Sequence, residues 1–222
     1  MTESRLSEDS PTTTDPVAPG HRVSPEVYVS ATYLTKERWC SLWHQLDLVS
    51  KLKPRRMLEV GVGSGLVRYA CERMGVEVRT VDFSPDLEPD LVATVRNLPL
   101  EDESFDLACA FQVLEHLPYE ESLEGFRELC RVSSRHVVIS LPNASPALAV
   151  SFTVPFLGSF RRVVPGPLPP LGTMTPSHRW EIGRPGFGLR RVVADLRREA
   201  RLVSQFRVPE MPYHHFFHFE RA

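Results

Sequence analysis

Met57-Leu58-Glu59-Val60-Gly61-Val62-Gly63-Ser64-Gly65-Leu66-Val67-Arg68-Tyr69-Ala70-Cys71 is the stretch that decides the fold. Met57 to Val60 predicts a short, mostly apolar strand that stops at Gly61. Helical spacing follows at Leu66, Val67, Ala70, Cys71 and Met74, and Gly75 closes that helix. A glycine turn between strand and helix lets a ligand approach the backbone where a side chain would collide, with N–H groups at the helix start facing it. Such turns also join packed elements for structural reasons alone. The ligand reading gains weight from Asp82, which ends the next predicted strand, Val76 to Val81.

Upstream, Trp39, Leu42, Trp43, Leu46 and Val49 recur at intervals of three and four, predicting a helix over 36–52 with this stripe in the core. Downstream, Leu91 to Val95 reads as a short third strand and Phe105 to Phe111 as a fourth, covered on both faces. A helix over 120–131 and a fifth strand, His136 to Leu141, continue the alternation. Strand and helix in turn predict an α/β fold, an open doubly wound sheet with parallel pairing. From 143 to 185 the rhythm breaks under eight prolines, and no regular element is expected to last. The apolar content there favours an ordered lid over a linker. A last helix over 189–196 and strands near 202–208 and 215–219 complete the chain.

Composition narrows the function. The chain has 222 residues, enough for one domain with an ordinary core, and a formal charge of -2, which excludes a uniform positive field for nucleic acid. No nucleic-acid partner is expected. Cys40, Cys71, Cys109 and Cys130 lack metal or disulfide spacing, which suits reduced thiols in the cytoplasm. Residues 1–24 read as a disordered tail without a signal peptide, and 25–222 as the domain, with 143–185 as its lid insertion. No apolar run reaches the roughly twenty residues of a membrane span.

Charge also sorts the ligands. A dinucleotide turn wants G-x-G-x-x-G, whereas this one is G-x-G-x-G preceded by Glu59. Between Asp82 and Asp106 eight carboxylates face the single base Arg96. A cationic, phosphate-free nucleoside suits that field better than a pyrophosphate, with Asp82 accepting from two ribose hydroxyls. NAD or a nucleotide sugar stays open as a lesser reading.

From Met57 to Pro142 the sequence resembles the class I S-adenosylmethionine-dependent methyltransferases. Leu58 to Gly65 is similar to the family's first motif, and the resemblance implies that Glu59, Gly61, Gly63 and Gly65 hold the methionine end of S-adenosyl-L-methionine. Val81-Asp82-Phe83 resembles the second motif, implying Asp82 on the ribose and Phe83 near the adenine. Asn97 to Leu100, Ser104 to Asp106, and Phe111 to Leu117 resemble the blocks around the fourth strand, with Gln112 at the pocket floor. Four residues before Leu98, where the family often has an acid for the adenine amino group, stands Thr94. Thr94 and Val95 are left to meet the base. The resemblance implies a Rossmann-like seven-stranded sheet, mostly parallel, with one antiparallel strand inserted beside the fifth.

The sulfonium already activates the methyl group, so the protein must align a nucleophile, exclude water and take a proton where needed. His116, just past the fourth strand, is the candidate base; the alternative is that Glu115-His116 only shapes the turn. His178, Trp180 and Glu181 are the candidate acceptor contacts, suited to a sugar ring, against the plainer reading of Trp180 packed in the core. Tyr213-His214-His215 reads as strand alternation, and no metal is expected. Eight arginines against three acids between 179 and 207 read mostly as a solvated face, with peripheral membrane contact as a minor alternative. By resemblance, the expected acceptor is a small molecule or glycan, methylated at oxygen, with nitrogen left open. A non-catalytic S-adenosylmethionine-binding regulatory or assembly subunit is the alternative.

Overall fold

The computed structural model describes residues 24–156, 158–166, 168–170 and 172–221. The expected tail, apart from Ser24, lies outside them. Among the described residues five α-helices, α1 (Pro25–Tyr28), α2 (Lys36–Leu52), α3 (Leu66–Arg73), α4 (Tyr119–Val132) and α5 (Leu189–Leu196), are interspersed with nine strands. Seven of these form one sheet: β1 (Arg56–Val60), β2 (Glu77–Asp82), β3 (Leu91–Val92), β4 (Phe105–Phe111), β5 (Ser133–Pro142), β8 (Arg201–Arg207) and β9 (His214–Glu220). Their order is β3-β2-β1-β4-β5-β9-β8. The first five run parallel, and β9 lies antiparallel between β5 and β8. The expected doubly wound sheet, including the inserted antiparallel strand, is present.

The order reverses at β1, which pairs with β2 on one side and β4 on the other. In open α/β sheets the crevice beyond the strand ends at such a switch point is where ligands bind. Here it collects Gly61, Asp82 and Gln112, each at or just past the carboxyl end of its strand.

Alternation along the strands divides the core into two layers. Leu58, Val60, Ala108, Ala110, Val137 and Ile139 pack with Phe126 and Leu129 of α4. Met57, Leu107, Cys109 and Val138 pack with Val67 and Cys71 of α3 and Val49 of α2. Thr35 caps α2, Lys53 ends it in a left-handed conformation, and Pro54 blocks any extension.

Two expectations need correction. The buried face of α2 is Ser41, Gln45 and Val49, whereas Trp39 and Trp43 are about half exposed. A polar partner turns the helix: buried His214 of β9 lies 2.7 Å from Ser41 Oγ through Nδ1. The proline-rich stretch also carries a regular element, a hairpin of β6 (Ala147–Val154) and β7 (Gly158–Pro165) paired along eight residues each. Pro155 falls in its turn and Pro165 at its end, where neither costs a ladder hydrogen bond, while Phe152 stacks on Phe160 across the strands. The third strand is shorter than expected, two residues, so Thr94 and Val95 lie in the loop after it.

Candidate active site

The glycine turn has the backbone that its residues permit. Gly61, Gly63 and Gly65 have φ of +88°, +53° and +69°. At Gly61 space matters as much as conformation, because a Cβ there would sit 2.4 Å from Val113 Cγ2. The turn is tied to its neighbours: Gly61 N–H donates to the Val81 carbonyl at 2.8 Å, and Val62 N–H donates to Asp82 Oδ2 at 2.9 Å. Asp82 Oδ1 accepts from Ser84 N–H at 2.9 Å. Burial holds the Asp82 carboxyl above its usual range, against the pull of these amides. Each carboxylate oxygen has capacity for a further donor, which matches two ribose hydroxyls.

Glu59 projects into the layer between β1 and α3. It is buried, one of its oxygens has no hydrogen-bond partner, and burial pushes its pKa up to about 8 while Arg68 pulls the other way. A buried carboxyl oxygen without a donor beneath a glycine cradle is what a cationic amino-acid end would satisfy. The residues present therefore fit S-adenosylmethionine.

The remaining cofactor candidates fall into two groups. Phe83 is partly exposed beside Asp82, and Gln112 sits past β4 with φ +57°, its amide donating to Ser140 Oγ at 3.1 Å. Thr94 Oγ1 accepts from Arg96 N–H, whereas Val95 is buried against Gly125 of α4. The Val95 side chain thus packs in the core, and only its backbone is open to the base. Tyr28, which the sequence reading passed over, lies near the turn: its ring carbons are 3.8–3.9 Å from where a Gly63 Cβ would stand. Burial, with smaller effects of Tyr33 and Asp82, pushes its phenol up to about 12. A Ser24-Pro25 helix start ahead of Tyr28 was the available signal.

Past β4, the turn Leu114–His116 carries a second cluster. His116 Nδ1 is 3.1 Å from the Ser177 carbonyl oxygen, and its ring centroid is 5.0 Å from that of His178. His178 Nδ1 lies 3.0 Å from Glu181 Oε1, which also accepts from Tyr213 O–H at 2.6 Å and Thr175 N–H at 3.1 Å. Arg184 Nε donates to Glu181 Oε2 at 3.2 Å. Burial works to raise the Glu181 carboxyl, and these donors overcome it, so it stays charged. Burial, aided by His116, lowers His178, with Glu181 opposing. His116, His178 and Glu181 thus meet, although 62 residues separate the first two. Trp180 does not join them: it is 2% exposed and packs edge-on against Tyr119 at 5.0 Å. The plainer reading of Trp180 describes its place. Glu115 and Tyr213, which the sequence reading gave no role in a site, complete the cluster.

His214 and His215 point elsewhere, to Ser41 and to Asn143 respectively. Among the described residues no helix is long and apolar enough to cross a membrane.

Residues 58–139 match the family model described as a methyltransferase domain. No curated protein matches the chain by sequence. A solved structure from Pyrococcus horikoshii OT3 is 17% identical with a TM-score of 0.60, covering 90% of this chain and all of that one. The N-methyltransferase NodS from Bradyrhizobium japonicum WM9, solved with S-adenosyl-L-homocysteine, is 12% identical with a TM-score of 0.59, covering 85% and 89%. The 1,6-didemethyltoxoflavin-N1-methyltransferase of Burkholderia thailandensis is 16% identical with a TM-score of 0.55, covering 95% and 93%. At such identities the structures speak for the fold; the domain match and the motifs it spans speak for the activity. The chain carries a methyltransferase domain over residues 58–139, set in a fold shared with solved S-adenosylmethionine-dependent methyltransferases.

Proposed function

We propose that this methyltransferase acts on a hydroxyl of a small molecule or glycan. The observation that carries this reading is the His116–His178 ring pair, one turn from Val113, which itself abuts Gly61 of the cofactor cradle. Two imidazoles and two carboxyl groups beside the methyl-bearing end suit an acceptor whose hydrogen must leave. When bound, S-adenosylmethionine supplies an electrophilic methyl group, and the electron pair of the broken S–CH3 bond stays on sulfur. The acceptor oxygen forms the new bond, and His116 takes up its hydrogen, directly or through a group that His116 holds.

The other residues position the partners. Glu59, Gly61, Gly63, Gly65 and Asp82 hold the cofactor, with Phe83, Gln112 and the Thr94 backbone around its base. His178, anchored by Glu181, contacts the acceptor, while Trp180 supports the loop from within the core. Residues 143–185 form the acceptor-side lid; its hairpin presents exposed Leu148, Phe152, Phe156 and Phe160, apolar walls of the sort that pack on rings.

The test incubates purified protein with methyl-labelled S-adenosylmethionine and fractionated small molecules and glycans. Label should enter a product as an O-methyl ether, identified by mass spectrometry and NMR. Label on nitrogen, protein or RNA contradicts the reading. Cofactor binding without any incorporation favours the non-catalytic alternative.

A further inference from the structure

Glu115 is fully buried, and neither of its carboxyl oxygens has a hydrogen-bond partner. A carboxyl group removed from water and given no donor is costly, and proteins retain one where a cation completes it. Around it the chain gathers two imidazoles: one ligand atom each from Glu115, His116 and His178 lies within 4.8 Å of the others. We propose that these three side chains bind a divalent transition-metal cation at the acceptor end of the site.

Three features of the surroundings support this. Two histidines and one carboxylate form a donor set that divalent zinc, cobalt, manganese and iron all accept, with positions left over for an exogenous ligand. Each imidazole is oriented through its Nδ1, His116 by the Ser177 carbonyl and His178 by the Glu181 carboxylate. That makes Nε2 the ligand atom in both. A histidine whose outer nitrogen meets a carboxylate or carbonyl is the usual support of a metal-binding imidazole, and Glu181 is itself fixed by Tyr213, Thr175 and Arg184. Bonds of about 2.1 Å would draw the three atoms closer by roughly an ångström, a change that rotation of the exposed His116 ring supplies.

The site deepens the hydroxyl reading and rests on it only for the cation's task. A cation there takes the acceptor hydroxyl as its exogenous ligand and lowers its pKa, so that the hydrogen passes to solvent. His116 then holds the cation rather than the proton. Acceptors bearing adjacent oxygens, such as vicinal diols or hydroxy acids, are the class that such a site favours.

Titration of the metal-depleted full chain with cobalt(II) chloride, followed by visible absorption and calorimetry, tests the site without any acceptor. One cobalt per chain is expected, weakened at least about tenfold by His116→Ala and by Glu115→Gln. His218→Ala removes a histidine of a separate cluster, with His136 and Glu220, and should change nothing. Thermal melts verify folding; should Glu115→Gln unfold, the exposed His116→Ala decides. Absence of saturable binding, or equal binding by wild type and His116→Ala, overturns the proposal. Once an acceptor is known, methylation lost on chelation and restored by cobalt supports the cation's task, and methylation indifferent to chelation refutes it. Cobalt bound by a protein that methylates no hydroxyl would refute the acceptor reading and leave the site standing.

Discussion

Gly61→Ala should lose both stability and cofactor binding. Two independent costs fall on one methyl group. At φ +88° an alanine sits in a backbone region that L-residues avoid, at about 1–3 kcal/mol. Its Cβ would also stand 2.4 Å from Val113 Cγ2, and overpacking of this kind costs about 1–3 kcal/mol more. Together they predict a melting temperature lower by roughly 5–15 °C for a domain of this size. Relief of the overlap by movement of the turn displaces the N–H groups that face the cofactor, so affinity for S-adenosylhomocysteine should fall by about a hundredfold or more, equivalent to ~2.7 kcal/mol. Val113→Ala in the same chain should recover part of the packing cost and none of the backbone cost. Gly65→Ala, where nothing lies within 4 Å, should show the backbone cost alone. A Gly61→Ala variant with wild-type melting and wild-type affinity would contradict this account of the cradle.

The second large effect concerns chemistry rather than binding. His116→Ala should lower kcat by about 10²- to 10⁴-fold, the range for loss of a positioned proton acceptor or its equivalent. Affinity for S-adenosylhomocysteine should stay within about twofold, because the contacts assigned to the cofactor come from the glycine turn, β2 and Gln112. Turnover and binding measured on the same preparation separate the two effects. Weakened cofactor binding with kcat retained would make Glu115-His116 a scaffold for the pocket floor.

Much of the fold was legible because it rests on local rules. A strand stopped by glycine, a helix closed by glycine and a continuous apolar fourth strand are written in adjacent residues. What escaped depends on partners distant in sequence. Ser41 becomes a core residue because His214, 173 positions away, meets it. The hairpin over 147–165 survives its prolines because they fall at its turn and end, a matter of register that composition does not show. The residues proposed for the cofactor, between 59 and 112, stand in the sequence as one block of motifs, whereas Tyr28 beside Gly63 does not. The cluster proposed for the acceptor joins 115–116 to 178–181 and Tyr213, and of its members His116, His178 and Glu181 stood out beforehand, together with Trp180, which packs in the core instead. Glu115 carries no local sign of what distinguishes it: complete burial without a donor.

The central claim is that the crevice beyond β1 and β2 is shaped for a sulfonium nucleoside. Calorimetric titration of the purified protein with S-adenosylhomocysteine, repeated on Asp82→Ala and with NAD(H) as rival ligand, tests it most directly. The account predicts one S-adenosylhomocysteine per chain, at least about tenfold weaker binding once the ribose contact is removed, and no heat with NAD(H). Saturable NAD(H) binding with none of S-adenosylhomocysteine, or affinity indifferent to Asp82, would contradict it.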